Sequence, residues 1–526
     1  MNNRIQMYVQ NNVCLVKDDG SYNLASIMSS NFSAESSYFK MRKGQKAKFV
    51  SEMLPLYQHL SMNGELYYSI PRGLLGYLPD QVFQYIDIHD TSTSNITYPS
   101  DISYSEVAEI LQPDSGFNLR KDQVYGVLAA LSKKRGILQY PTAAGKTEIM
   151  SGILKILNNY NSNLKALVTV PTTILRNDTS ARFNKYGLSS TPYNDTRMNT
   201  EDHSIYVATT GSLLNDLKKN PDLLKEFNVI IKDECQHSKS ESLQQLEKYL
   251  PNVEYNIGMT ALAVDKNKVD AKSVLTYNYT EAMIVGTIGP VIVDVPFKYY
   301  IDNGILARPV VFQMYTEAIM EDEEHGKNWS KVQAEILTSD DRTKLLSNVS
   351  NEFYKHDRKI LILVNTKRLG NKLAIDMINH YPEFDGKIGL RYGGGSSLEV
   401  VNGKIVSIEE DSLDKFGRDE LSIIIATSVL DEGVDIKNLD VLIMATAGRG
   451  DRRVIQRCGR VLRKTKNGKY AYIVDFSDTG PTMLSGQSSM RMKLYKDLIG
   501  IEESYIYPSM SLDRLDYEFT RLEGLR

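Results

Sequence analysis

Short apolar runs separated by longer amphipathic stretches fill two blocks of this chain. In the first block the runs are Gly136–Tyr140, Ala166–Val170, Ile205–Ala208, Val229–Ile231 and Tyr255–Gly258. In the second they are Ile360–Val364, Ile388–Tyr392, Ile423–Ala426, Val441–Met444 and Tyr470–Asp475. Apolar runs of this length without alternation suit strands covered on both faces, and the segments between them suit crossover helices. The pattern predicts an α/β protein with two tandem parallel-sheet domains, over residues 113–303 and 304–480. Residues 1–112 read differently: mixed apolar and aromatic runs, a strand at Tyr67–Ile70, and turn signals at Asn63-Gly64, Pro71-Arg72-Gly73, Gly76 and Pro79 predict a small α+β domain. Within it, 84–104 is rich in Asp, Ser and Thr and reads as a linker. Residues 481–526 read as a helical C-terminal tail that packs back on one of the blocks.

Composition narrows the class. A chain of 526 residues is long enough for three or four domains. No apolar run reaches the roughly 18 residues of a membrane span, and the N-terminus lacks a secretory pattern. Cys14, Cys235 and Cys458 are scattered, which points to a reducing compartment without disulfides or zinc, hence the cytoplasm. A net charge of −3 argues against wholesale electrostatic coating of nucleic acid, so any such grip must come from local patches and backbone donors. With 32 Tyr and the single Trp329, base stacking would fall to Tyr or Phe.

Candidate chemistry begins at Tyr140-Pro-Thr142-Ala143-Ala144-Gly145-Lys146-Thr147, which follows an apolar run and precedes a helical pattern. A loop in that context turns backbone N–H groups toward phosphates, with Lys146 on the β- and γ-phosphates of ATP and the Thr147 hydroxyl on magnesium. The consensus glycine is replaced by Tyr140, which either crowds the site or ends the strand. A second run, Asn228–Lys232, delivers Asp233 and Glu234 to the C-terminal edge of a sheet, where open α/β folds bind ligands. Asp233 suits magnesium and Glu234 suits the attacking water. Far along the chain, 449–469 carries many cations. On a helix starting near Asp451, positions 453, 456, 457, 460 and 463/464 share a face, so Gln456, Arg460 and Arg463 could meet one ligand, the arginines favouring the charge of the transition state.

These motifs, in this order, resemble those of superfamily 2 helicases and translocases. Phe117–Gln123 resembles the adenine-reading segment, which implies Gln123 and Arg120 as nucleotide contacts. Pro171, Thr172 and Thr173 resemble motif Ia, and Thr209 and Thr210 motif Ic. Asp233-Glu-Cys-Gln-His237 resembles the Asp-Glu box and Thr260 motif III, with Gln236 coupling to Thr260 where the family has Asp or His. Asn365 and Thr366 resemble motif IV. Thr427, Gly433 and Asp435 fall in motif V, and Gln456–Arg463 resembles motif VI. The resemblance implies two RecA-like motor domains, ATP and Mg2+, and Lys146, Asp233, Glu234, Gln456, Arg460 and Arg463 as the hydrolytic set. It implies that Thr142, Ala143, Ala144 and Gly145 cradle the nucleotide and that Gly433 and Asp435 contribute to it.

Within the superfamily the chain is similar to the UvsW-type DNA helicases of bacteriophages. Gly459-Arg-Val-Leu-Arg463 has the form found in DNA motors, and Gly286–Pro290 leading to Ile301–Pro309 resembles the segment joining their motor domains. This implies remodelling or unwinding of single-stranded and branched DNA, with replication and recombination proteins as partners and a monomer favoured. Thr172, Thr173, Thr209, Thr210, Asn365, Thr366 and Thr427 suit strand phosphates, contacts that carry little sequence information. The basic stretch Phe39–Phe49, with Arg42, Lys43 and Lys46, is a candidate grip on duplex or junction, or else a basic surface turn. A duplex translocase without strand separation, an RNA helicase and a non-catalytic scaffold remain as alternatives.

Overall fold

The computed structural model describes residues 4–20, 22–40, 48–78, 80, 84–92, 96, 102–111, 117–161, 163–193, 203–236, 240–264, 268, 272–317, 335–392, 397–427, 436, 438–446, 457–463, 470–479 and 482–525. Its contacts divide into two units, one of residues 1–141 and 145–295, the other of 142–144 and 296–526.

The first unit is built on a seven-stranded sheet in the order Ser190–Pro192, Ile205–Thr209, Ala166–Val170, Val229–Asp233, Tyr255–Thr260, Arg135–Gln139, Val291–Asp294, all parallel. Strand Tyr255–Thr260 therefore lies between the strand that feeds the candidate phosphate loop and the strand that ends in Asp233. All six of its residues are buried, as expected for a central strand covered on both faces. The N-terminal region belongs to the same unit. It forms a mixed five-stranded sheet whose last strand, Ile86–Asp90, pairs in parallel with Ile5–Val9, and a separate hairpin pairs Ser33–Lys40 with Lys48–Pro55. Part of the stretch read as a linker is thus a strand: Ile86 is buried, Asp87 half-buried, and Ile88, His89 and Asp90 exposed. One apolar cluster joins Ile5, Met7, Phe32, Ile70 and Leu74 to Val274, Met283, Ile284 and Ile288, and Tyr77 and Tyr277 meet through their hydroxyls at 3.2 Å.

The second unit holds a nine-stranded sheet ordered Lys404–Ile408, Ser397–Val401, Ile388–Arg391, Ile423–Ala426, Ile360–Leu363, Val441–Met444, Tyr470–Thr479, Arg308–Glu317, Ile506–Met510. Its pairings are parallel except at the first edge, where Ser397–Val401 runs antiparallel to both Ile388–Arg391 and Lys404–Ile408. The division at residues 295/296 assigns helix Phe297–Asp302 to this unit, whereas the sequence pattern places the boundary at 303/304 and the helix in the first. The tail is not simply helical. Helix Thr482–Leu494 and helix Leu512–Leu522 flank strand Ile506–Met510, which pairs with Arg308–Glu317. The apolar residues of that strand are interrupted by Pro508 and Ser509, which hid it from a search for apolar runs.

Candidate active site

Strand Arg135–Gln139 ends beneath the loop. Tyr140 does not crowd the loop: its side chain is fully buried, and its hydroxyl donates to the Asp122 carbonyl at 2.7 Å. Gly126 makes that possible, since a Cβ there would stand 2.5 Å from the tyrosine oxygen. The Tyr140 N–H donates to the Thr260 carbonyl, tying the start of the loop to the end of the central strand. Gln139, 2 % exposed, extends the tie: its Oε1 accepts from Ala263 and Val264 N–H at 2.6 and 3.1 Å, and its Nε2 donates to Asp294. The sequence reading missed Gln139, because an amide inside an apolar run carries no motif.

The loop turns through Ala143 at φ +70° and Gly145 at φ +85°. Glycine is required at 145, where a side chain would be strained and would collide with the Gln123 amide. Helix Lys146–Tyr160 starts directly after it, so its free N–H groups face the loop. Gln123 lies under this turn, accepting from Arg120 N–H at 2.9 Å and reaching the Gly145 carbonyl at 3.4 Å. The Arg120 guanidinium is held flat by two 3.1 Å bonds to Asp122.

Lys146 Nζ donates to Glu234 Oε1 at 2.7 Å, and Gln236 Nε2 donates to Glu234 Oε2 at 2.7 Å. Glu234 itself sits at φ +47°, an uncommon conformation for a residue with a side chain. Gln236 is thus engaged with Glu234 rather than with Thr260, whose hydroxyl accepts from Leu262 N–H at 3.0 Å. The expected Gln236–Thr260 bond is absent because the tight turn after Asp233 folds the amide back onto its neighbour. Burial, then the Glu234 charge, push the Asp233 carboxyl up to about 6, against the pull of Lys146. Burial disfavours the Lys146 ammonium, but Glu234 and Asp233 outweigh it and its pKa is raised. Two acids against one cation leave the site short of positive charge, and hard oxygen ligands, the Asp233 carboxylate and the Thr147 hydroxyl, suit a magnesium ion. Arg182 stands 3.4 Å from the Thr147 hydroxyl and pairs with Glu148, a neighbour no motif announced.

One residue before Asp233, Lys232 is wholly buried and donates to Glu247 and Asn256 at 2.6 and 2.5 Å. Burial lowers its pKa and Glu247 opposes the shift. A buried charge with two close partners fixes the strand that carries Asp233.

The threonines at strand ends are helix caps. Thr172 Oγ1 accepts from Leu175 N–H, Thr209 Oγ1 from Ser212 N–H and Thr366 Oγ1 from Leu369 N–H. Pro171 and Thr172 are half-buried, Thr173 and Asn365 are exposed, and Thr210 is half-buried. In the first unit, Thr172 and Thr209 stand at the same C-terminal sheet edge as Lys146 and Asp233. In the second, Lys367 and Arg368 follow Thr366 and are exposed. Thr427 is 9 % exposed, so its side chain offers little to a strand.

Residues 457–461 are helical, but Leu462 is a turn and Arg463 forms an isolated β-bridge with Leu306. Arg463 therefore does not share a helical face with Arg460. Arg457 donates to the Thr446 hydroxyl at 3.0 Å inside the unit, and Arg460 is 8 % exposed. Gln456, Gly433, Asp435, Arg42, Lys43 and Lys46 lie outside the described residues. No described helix is long and apolar enough to cross a membrane.

Comparison with known proteins bears on this arrangement. Residues 116–265 match the family model of the type III restriction enzyme res subunit, and 341–465 match that of the helicase conserved C-terminal domain. A putative helicase of a Sulfolobus islandicus filamentous virus is 23 % identical over 68 % of this chain and 64 % of its own length. The DNA 3'-5' translocase XPB2 of Sulfurisphaera tokodaii is 25 % identical over 69 % of this chain and 82 % of its own. The ATP-dependent DNA helicase uvsW of phage T4 is 23 % identical over 68 % of each. Among solved structures, a fragment of an HsdR subunit of a type I restriction enzyme from Vibrio vulnificus superposes with a TM-score of 0.54 at 17 % identity, over 91 % of each chain. With two RecA-like sheets, a phosphate loop in the first and both family models in tandem, the chain is an ATP-hydrolysing superfamily 2 helicase close to the UvsW type.

Proposed function

We propose that this chain couples ATP hydrolysis to movement on DNA and remodels or unwinds branched forms such as forks and recombination intermediates, with little sequence specificity. The observation that carries the reading is the shared sheet edge: Lys146, Asp233 and Glu234 lie at the same ends of parallel strands as the capped helix starts at Thr172 and Thr209. A change of charge at one strand end is felt by neighbours one or two strands away. Phosphates arriving at the loop take Lys146 from Glu234 and free that carboxylate to orient water. Thr147 and Asp233 would hold magnesium, which neutralises phosphate charge when bound. Arg460 and Arg463 supply positive charge to the transition state. Thr172, Thr173, Thr209, Thr210, Thr366 and Asn365, with Lys367 and Arg368, hold strand phosphates. The printed names of the archaeal translocase and the phage helicase favour DNA over RNA.

Steady-state ATPase activity without nucleic acid, with single-stranded DNA, with a forked duplex and with RNA of matched length tests this. Stimulation by DNA and little by RNA is expected, and stimulation by RNA alone would overturn it. The match to a restriction-enzyme family model and the archaeal relative's name as a translocase also support a duplex motor that does not part strands. Displacement of a third strand from a triplex, without unwinding of a fork, would favour that version.

A further inference from the structure

Where the N-terminal sheet meets two helices of the first unit, a cavity of about 850 Å3 is used by no step above. That volume is in the range of small-molecule sites. One wall is apolar, with Val13 and Leu15 from strand Val13–Asp18 and Leu60 and Met62 from strand Gln58–Met62. Side chains alternate across a strand, so Cys14 and Val16 enter the apolar cluster while Val13 and Leu15 line the cavity. Tyr57 and Tyr279, both half-buried, add aromatic rings. The opposite wall includes Glu247, the last residue of helix Ser240–Glu247, and Thr287 of helix Tyr279–Ile288. The walls are tied together in advance: the Asn11 and Asn12 amides donate to the Pro251 and Glu247 carbonyls at 3.0 and 2.9 Å. The Thr287 carbonyl accepts from Arg135 and Asn256, near the starts of strands Arg135–Gln139 and Tyr255–Thr260. The cavity is therefore at the opposite sheet edge from Lys146 and Asp233.

Its polar chemistry is lopsided. Asn12 Oδ1, Glu247 Oε2 and Thr287 Oγ1 are buried with no hydrogen-bond partner among the described residues. Glu247 is 8 % and Thr287 3 % exposed, and a buried polar atom without a partner costs free energy. Two of the three atoms can only accept, so the matching ligand must bring N–H donors. The Glu247 charge is already met, because its other oxygen accepts from Lys232 at 2.6 Å and from Asn256 at 3.0 Å. A neutral donor suits Glu247 Oε2 better than a second ammonium. Apolar walls with two tyrosines suit a flat ring, and bases outside a duplex are held by such stacking plus hydrogen bonds to their edges.

We propose that this cavity takes a nucleobase bearing an exocyclic amine, either in a free nucleoside or in an unpaired strand. Adenine, cytosine and guanine offer an amino group to the orphaned acceptors. Thymine has one N–H between two carbonyls and matches them poorly. The strand source rests on the reading of this chain as a DNA motor, and the free-nucleoside source does not.

The test is fluorescence titration of the full chain, with its ATP site saturated by Mg-ADP. One probe is free 2-aminopurine deoxyriboside. The other is an oligothymidine with a single 2-aminopurine, whose binding is followed in parallel by anisotropy of an end label. The probe ring carries an amine, and stacking quenches it. Saturable quenching is expected with the free probe if the ligand is a nucleoside, and with the oligonucleotide if it is a base in a strand. Leu60→Trp fills the cavity and should weaken the quenched complex about 20-fold or more, and Thr287→Val should weaken it about fivefold. Thr287→Val removes a hydroxyl without a described partner, so its unfolding temperature without ligand should stay at or above wild type. Deoxyadenosine should displace the probe at concentrations where thymidine does not, and equal displacement would overturn the choice of an amino-bearing base. Quenching in neither arm, or quenching that both variants leave unchanged, overturns the site. If anisotropy shows no strand binding at all, the DNA reading falls and the free-nucleoside arm decides the cavity alone.

Discussion

The two parallel sheets of this protein repeat one architecture and differ in the connection that follows one strand. After Ile360–Leu363 the chain needs only three residues to start the helix Lys367–His380, capped by Thr366. After Arg135–Gln139 it needs six, and two of them, Ala143 and Gly145, take positive φ before Lys146 opens the helix. Both helices present free N–H groups at a strand end. Only the longer, left-handed turn wraps additional N–H groups around a space and sets a lysine at its rim. An α/β crossover is thus a generic anion site that becomes a triphosphate site through three extra residues and one backbone conformation. The second sheet keeps the shorter form, to which the proposed function assigns a strand phosphate, with Lys367 and Arg368 beside it.

The largest test of this contrast is Lys146→Ala, which should lower ATP turnover about 1,000-fold or more while the far-ultraviolet circular dichroism stays native. Turnover at the wild-type rate would break the assignment of the first sheet. Glu234→Gln should cost about 100- to 1,000-fold in kcat, with nucleotide binding by fluorescence titration nearly unchanged, since the carboxylate acts on water rather than on nucleotide.

Asp233→Asn separates stability from function. Asp233 has its folded-state pKa raised from 3.8 to about 6, so the stability linked to its proton is full below the lower value and lost as pH rises through the higher. Without nucleotide, Asp233→Asn should therefore melt higher than wild type above about pH 6, and the gain should vanish below about pH 4. Hydrolysis should be lost at every pH. A melting temperature unchanged at pH 7.5 would contradict the burial of that charge.

In the second sheet, Lys367→Ala and Arg368→Ala should each weaken binding to single-stranded DNA several-fold and reduce the slope of log affinity against log salt by about 0.7. Basal ATPase should not change. The smallest effect belongs to Gln236→Ala. It removes the Gln236 bond to the Glu234 carboxylate while the Lys146 bond stays, and basal kcat should change by about threefold.

Apolar runs alone determined that there are two parallel sheets. All ten runs are strands, because a strand buried on both faces must be apolar at consecutive positions. Motif chemistry likewise determined that Lys146, Asp233 and Glu234 converge, since each is bound locally to a strand end or a helix start. Tertiary structure decided what depends on contacts across the chain. Strand Ile506–Met510 is recognisable only beside Arg308–Glu317, and the linker strand Ile86–Asp90 only beside Ile5–Val9. Whether Tyr140 blocked the loop hung on Gly126, and the partner of Gln236 hung on a turn that no periodicity encodes. The face shared by Arg460 and Arg463 was a projection of an ideal helix, and the bridge to Leu306 ended that helix first. Local pattern fixes which backbone segments form, because burial and helix starts are read residue by residue. Side-chain partners distant in sequence are chosen only when packing brings them within hydrogen-bond reach.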